Sequence, residues 1–191
     1  ELPCPILPYS SSKLQNEKDI KKSGNKYSIL RLGSVYGYSS TDTMRINIMV
    51  NLFSKIASQD GIISLFGGGK QLKSVVPLID VVRCMKFMGE NEKIKKETFN
   101  LVKETVTVKE VAEICKKYNP KVTTKTTDDE IPNLGYTLSS KKLLSTGFKF
   151  LYNLDESIST MIQAWSYVKF NKDLEYKYRG EKEYIDKRGK I

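Results

Sequence analysis

The sequence predicts an α/β fold, and three observations carry that expectation. Strand-like and helix-like stretches alternate along the chain. Breaks rich in Gly, Pro and Asn separate them. With 39% hydrophobic and 10% aromatic residues in 191, there is apolar material for one ordinary domain and room for a small second one.

Each element has its own reason. From Pro8 to about Lys22 only Leu14 and Ile20 punctuate a polar run, which predicts a helix with one buried side, stopped by Ser23-Gly24-Asn25. Tyr27 to Leu32 reads as a strand and Gly33 to Thr43 as a loop. Met44 to Ser58 spaces Ile46, Val50, Phe53 and Ala57 by three and four, the pattern of a helix with one apolar face. Ile62 to Phe66 is a short strand before the Gly67-Gly68-Gly69 turn. Val75 to Leu78 predicts a short edge strand, because Pro77 has no N–H for a ladder, and Asp80 to Met88 a helix. Thr98 to Val102 is the next strand. Thr107 and Glu110 have capping-box spacing, and Val108, Val111, Ala112 and Cys115 form the buried face of the helix that follows, which Pro120 ends. Lys121 to Thr127 is β-branched and predicts a strand, Leu138 to Leu144 a short helix. Leu154 to Phe170 predicts an amphipathic helix built on Ile158, Met161 and Ile162, with Trp165 in the core. Asn171 to Ile191 is charged, contains tyrosines and lacks periodicity, as an exposed tail does.

Composition excludes several chemistries. There is no histidine, so Ser-His-Asp and Cys-His nucleophiles, imidazole bases and His-containing zinc sites are ruled out within this chain. Proton transfer falls to Tyr, Lys, Asp, Glu or Cys. Cys4, Cys84 and Cys115 have no metal-like spacing and are expected to be reduced and structural. No apolar run nears the roughly 20 residues of a membrane span, and Glu1 to Pro5 has no signal-peptide pattern, so a cytoplasmic protein without membrane contact is expected. The net charge of +10 suits an anionic partner such as a nucleotide, and equally a lysine-rich solvated surface, because no block of five consecutive basic residues occurs. Asp128-Asp129-Glu130 reads as solvated loop, and no metal is expected.

Tyr9 and Lys13 are the first residues able to carry chemistry. Four apart at the start of a helix, they share a face and can approach one ligand. A neighbouring ammonium favours tyrosinate, which suits a phenol to general acid/base work. Alone, the pair is also what an ordinary surface pair looks like.

A set of segments in order sharpens that reading. Pro8-Tyr9-Ser10-Ser11-Ser12-Lys13-Leu14 with Glu17, Ile29-Leu30-Arg31-Leu32-Gly33-Ser34-Val35-Tyr36-Gly37 and Leu65-Phe66-Gly67-Gly68-Gly69-Lys70-Gln71 come first. Then follow Val75-Val76-Pro77-Leu78-Ile79-Asp80, Thr98-Phe99-Asn100-Leu101 with Thr107 to Val111, and Gly147-Phe148-Lys149-Phe150 with Leu154 to Ile158. Together they resemble the C-terminal half of extended short-chain dehydrogenase/reductases, the NAD-dependent epimerase/dehydratase family that acts on nucleotide sugars. The resemblance covers about residues 1 to 165.

The resemblance implies the last part of a doubly wound, Rossmann-type parallel sheet with an interleaved smaller α/β lobe for substrate. Residues 1–37 with about 75–102 would belong to the dinucleotide-binding domain, about 38–74 and 103–170 to the substrate lobe, and 171–191 to the tail. It implies NAD or NADP as cofactor, a nucleotide-sugar substrate and a homodimer. Tyr9 would move a proton at a sugar hydroxyl, and Lys13 would bind the nicotinamide ribose. Both would touch the cofactor, together with Gly33 and Val35. Ser34, Tyr36, Phe66, Gly67, Lys73 and Asn100 would face the substrate, Lys73 at the diphosphate. The family's glycine-rich phosphate loop is absent from this sequence, and Gly67-Gly68-Gly69 reads as a turn. Ser34 stands where the family has Asn, and Lys73-Ser74 where it has Arg-Asp; lysine neutralises a phosphate without the bidentate grip of arginine. The chain alone is therefore expected to be inactive and to bind no NAD(P). A different class of function, a non-catalytic relative binding RNA or another polyanion through its basic surface, is the alternative, though acids alternate with the basic residues and argue against nucleic acid.

Overall fold

A computed structural model describes residues 5, 7–39, 44–128 and 135–167. The tail beyond 167, Cys4, Asp129 and Glu130 lie outside the described residues, as does Phe170, the expected end of the final helix. Seven strands and six α-helices are interspersed among the described residues, with three strand pairs parallel and one antiparallel, the mixed α/β architecture expected.

Helix α1 (Pro8–Lys22) starts with Pro8 at N1, where its missing N–H costs nothing. Strand β1 (Ser28–Leu32) runs parallel to β5 (Glu97–Leu101), Leu30 opposite Phe99. The chain then continues, against the expected loop, as strand β2 (Ser34–Tyr36) and changes partner, pairing parallel with β4 (Leu72–Pro77). Gly33 makes the change possible. Its N–H donates to Leu101 O at 3.1 Å, and a Cβ there would stand 2.6 Å from Ser74 O and 2.9 Å from Val102 Cγ2. No larger residue fits.

Strand β4 is not the edge strand that Pro77 suggested. It is central, with β2 on one side and β6 (Glu104–Thr107) antiparallel on the other. Pro77 is its last residue, and the antiparallel register with β6 stops at Val75, so the missing donor falls outside that ladder. Strand β6 was not anticipated, because its four residues merge into the cap of the next helix. That helix, α4 (Val108–Tyr118), has the expected capping box: Thr107 Oγ1 accepts Glu110 N–H at 3.1 Å, and Thr107 N–H donates to the Glu110 carboxylate. Helix α2 (Met49–Ala57) begins five residues later than its apolar spacing suggested. Asn51 explains the delay: buried, it accepts Gly37 N–H at 3.0 Å and donates to Arg45 O at 3.2 Å, holding the preceding segment across the helix start.

Strand β3 (Ile62–Phe66) pairs parallel with β7 (Thr123–Thr127). Helices α3 (Leu78–Glu90), α5 (Lys141–Leu144) and α6 (Leu154–Tyr167) complete the set. Two cores result. One gathers Val76, Val81, Cys84, Met88, Phe99, Leu101, Leu143 and Phe148 around β5 and α3. The larger joins α2, β3, α4 and α6 through Phe53, Ile63, Val111, Cys115, Ile158 and Met161, with Trp165 packed partly buried against it. Cys84 and Cys115 are free and buried, and burial pushes their thiols up to about 11 and about 12, which makes them inert packing residues.

Asp80 ties the two halves of the chain together. Fully buried in the first turn of α3, its carboxylate accepts the N–H groups of Leu151 and Tyr152 and pairs with Arg83, which also donates to Lys149 O at 3.0 Å. A buried carboxylate with three donors around it is satisfied, and it fixes the approach to α6.

Candidate active site

Helix α1 has no buried residue; Ser10, Leu14 and Glu17 are its half-buried side and define the face it turns inward. Tyr9 and Lys13 flank that face. The Tyr9 ring is 71% exposed, and Lys13 Nζ lies 5.3 Å from its centroid. Neither the phenol oxygen nor the ammonium has a hydrogen-bond or ion-pair partner among the described residues, so both polar heads are available to a ligand.

Glu17, two turns further along the same row, meets β1. Its carboxylate receives both Arg31 Nε, at 2.8 Å, and a terminal Arg31 nitrogen, at 2.7 Å, a bidentate pair. The Arg31 guanidinium holds the Glu17 carboxyl below its ordinary range, against an opposing effect of burial, and Glu17 in turn raises Arg31. This contact fixes the level of Tyr9. Eight residues toward the helix N-terminus is about 12 Å, and about 12 Å along the strand from Arg31 is three to four residues. Helix and strand run in opposite directions from their connecting turn, so an equal rise along the chain from Arg31 reaches about Ser34 and Val35.

The remaining predicted residues divide. Ser34 is half-buried in β2, and Val35 packs partly buried against the core around β5. Gly33 is committed to the close approach of β4, which accounts for it without a cofactor. Tyr36, expected to touch the sugar, turns its ring into the larger core at 1% exposure. Burial raises its phenol beyond ordinary titration, so in this conformation it is a packing residue. Phe66, Gly67 and Lys73 form a second group around the turn between β3 and β4. Gly67, Gly68 and Gly69 all have positive φ, of 52°, 73° and 69°, a backbone that only glycine adopts freely, and Gln71 donates to Phe66 O at 2.9 Å across the turn. Phe66 and Lys73 are exposed there. Asn100 is a tether: its amide donates to Ser139 O at 3.2 Å, beside Ser140, whose buried hydroxyl bonds both backbone groups of Val102.

Sequence reading missed the Glu17 and Arg31 pair as a working contact, although Glu17 continues the Tyr9, Lys13 spacing and Arg31 is a charge inside an apolar strand. It also missed Asp80 and Ser140. Among the described residues no group of three or more His, Cys, Asp and Glu could hold a metal, and no helix is long and apolar enough to cross a membrane.

Comparison with known proteins follows this geometry. The structure is similar to UDP-glucose 4-epimerase from Thermotoga maritima, solved with UDP-glucose, with a TM-score of 0.72 and 23% identity over 85% of this chain and 54% of that one. It is similar to UDP-glucose 4-epimerase from Thermus thermophilus, solved with NAD, with a TM-score of 0.72 and 19% identity over 87% of this chain and 56% of that one. A third likeness, to UDP-glucuronic acid 4-epimerase from Bacillus cereus, solved with UDP-glucuronic acid and NAD, has a TM-score of 0.72 and 20% identity over 86% and 54%. The chain thus spans a little over half the length of each. At these identities the likeness establishes a Rossmann-type fold. The sequence profile of one family matches residues 1–101, more than half of the 191, and includes Tyr9, Lys13, Glu17, Arg31 and all of β1 to β5. On that match, the chain belongs to the NAD dependent epimerase/dehydratase family.

Proposed function

We propose that the chain supplies the proton-transferring and sugar-facing part of an NAD(P)-dependent epimerase, dehydratase or reductase acting on a nucleotide-activated sugar. The observation that carries the proposal is the Tyr9 and Lys13 pair, exposed, 5.3 Å apart from ammonium to ring centroid, on a helix joined to β1 by Glu17 and Arg31. In this reading residues 1–37 with about 75–102 face the cofactor, and about 38–74 and 103–170 face the sugar nucleotide. The buried free thiols of Cys84 and Cys115 suit a reducing, cytoplasmic setting.

The residues present fit a nicotinamide nucleotide in part: an exposed ammonium next to an exposed phenol can bond ribose hydroxyls while leaving the phenol oxygen for the sugar. A bound nicotinamide would supply the hydride acceptor and donor. Tyr9, as tyrosinate, takes the proton of a sugar hydroxyl as the carbonyl forms at that carbon, and returns it when the carbonyl is reduced. Lys13 stabilises the negative charge of the phenolate and holds ribose. Ser34 orients the sugar from the start of β2, Phe66 offers a flat apolar face to a base, and Lys73 offers charge to a diphosphate. The fit at Gly33 is weaker, because packing already explains that glycine. Lys26, Lys117, Lys121 and Lys142 are each paired with a carboxylate at 2.6–3.3 Å, which withdraws these four cations from a polyanion.

The test is Tyr9→Phe in the active, cofactor-loaded protein. Turnover should fall by about two to four orders of magnitude, the usual contribution of a general acid/base, with NAD(P) affinity nearly intact. Lys13→Met should weaken both. Wild-type turnover in Tyr9→Phe would exclude Tyr9 from the chemistry.

A further inference from the structure

From the contacts of α1 we infer that Glu17 and Arg31 are positioning residues, a clamp that sets the rotation and height of α1 and thereby aims Tyr9 and Lys13. The inference rests on the roles proposed above for Tyr9 and Lys13. Its basis is an imbalance. Helix α1 is fifteen residues long, buries none of them completely, and has no side-chain cap at its N-terminus. Leu14 is a single half-buried apolar contact, and Ile20 is exposed. A smooth, weakly apolar face of that kind resists rotation poorly, because dispersion contacts of nearly equal quality are available at several angles. A bidentate guanidinium and carboxylate pair is different. Two parallel bonds of 2.7 and 2.8 Å define both an angle and a height, and are lost together if either changes.

Glu17 is suited to this because it continues the row of Tyr9 and Lys13. Spacings of four advance about 40° around a helix, so whatever fixes Glu17 fixes Lys13 one turn away and Tyr9 two turns away. A rotation of about 20° at a side-chain radius of roughly 6 Å displaces an atom by on the order of 2 Å, and misplacement by 1 Å is enough to cost about a hundredfold in rate. The pair is sheltered as well: the Glu17 side chain is 15% exposed, unlike the solvated pairs Lys26 with Glu92 and Lys86 with Glu90, where both partners are more than 60% exposed. Lys21, 4.0 Å from the same carboxylate, adds a looser contact from the next turn.

Two measurements on Glu17→Gln, Arg31→Met and the exchanged double variant Glu17→Arg with Arg31→Glu test the clamp. Amide hydrogen exchange reads α1 directly, with α4 as the internal control for global stability. Turnover of the active holoenzyme, resolved into kcat and KM for the sugar nucleotide, reads the aim of Tyr9. The expected result is exchange in α1 faster by about tenfold or more in both single variants with α4 unchanged, kcat lower by about 10- to 100-fold with KM nearly constant, and recovery of both readings in the double variant. Unchanged α1 exchange in the single variants overturns the clamp. Equal acceleration in α1 and α4 also overturns it, since the pair would then serve stability alone. Faster α1 exchange with wild-type kcat, where Tyr9→Phe is inactive, overturns the positioning role and leaves the role of Tyr9 standing. Wild-type kcat in Tyr9→Phe removes the role of Tyr9 and the positioning role with it, while the exchange data still report the clamp separately.

Discussion

Tyr9 and Lys13 are available because their polar ends have no hydrogen-bond or ion-pair partner among the described residues, whereas Glu17, Lys21 and Arg31 nearby are paired with one another. Lys73 presents the same contrast. It stands exposed in β4, opposite Val106 in register, close after the glycine turn that carries Phe66. If a diphosphate lies there, Lys73→Ala should weaken nucleotide-sugar binding about 5- to 10-fold, roughly 1 to 1.4 kcal/mol, with cofactor affinity unchanged. The loss should shrink as salt screens the charge. Titration calorimetry at low and high ionic strength checks this, and equal affinities for mutant and wild type would remove Lys73 from the site. Gly33 and Tyr36 illustrate the opposite outcome: both stand in a segment that resembles the site of a nucleotide-sugar enzyme, and packing claims both of them.

At the scale of elements, α1 depends on one ion pair where α4 depends on a buried face and a cap. Val111, Ala112 and Cys115 are fully buried, and the Thr107 and Glu110 box satisfies the first turn, so α4 is held by its core contacts. Helix α1 is held through Glu17, and this makes its docking sensitive to acid. Because Arg31 lowers the Glu17 carboxyl below its ordinary 4.5, the stabilisation is complete above that value and is lost as pH falls through the lowered one. The α1 amides, corrected for intrinsic exchange, should therefore lose protection as pH falls below 4.5 and through the lowered Glu17 value. In Glu17→Gln the same amides should be weakly protected and nearly independent of pH over that range. Equal acid sensitivity in wild type and Glu17→Gln would assign the effect to another carboxylate, such as Glu92, which Lys26 just beyond α1 also lowers.

Among the described residues the molecule has two cores and three small sheets with open edges, that of β1 among them. Among the described residues β5 is the one strand paired with β1, so the other side of β1 presents unpaired backbone groups. Helix α3, which packs on β2 and β4, carries an outward apolar row, Leu78, Val82 and Met85, all exposed. A parallel strand of this kind is ordinarily covered on both sides. We expect the 191-residue chain on its own to associate reversibly at micromolar concentrations. Sedimentation velocity from about 1 to 100 μM should give a weight-average mass that rises with concentration, and a single 21.8 kDa monomer across the series would show the edge to be protected.

Local chemistry determined much of this protein from its sequence alone. The bounds of α1 follow from Pro8 and Ser23-Gly24-Asn25, those of β3 from a short apolar run before three glycines, and the start of α4 from Thr107 and Glu110, because caps, turns and periodicity act within a few residues. The Tyr9 and Lys13 pair was legible for the same reason, a spacing of four on one helix. Tertiary structure alone decided the rest. Whether Pro77 marks an edge depended on where β6 pairs, and whether Tyr36 faces ligand or core depended on which sheet the chain joins after Gly33. That Asp80 would gather the Leu151 segment, seventy-one residues away, is a long-range contact of the same sort. The Glu17 and Arg31 contact is the sharpest case: fourteen residues separate them, and only the return of the chain from helix to strand brings a carboxylate and a guanidinium together. Sequence periodicity registers which way a side chain points on its own element, and carries no information on what the neighbouring element will place there.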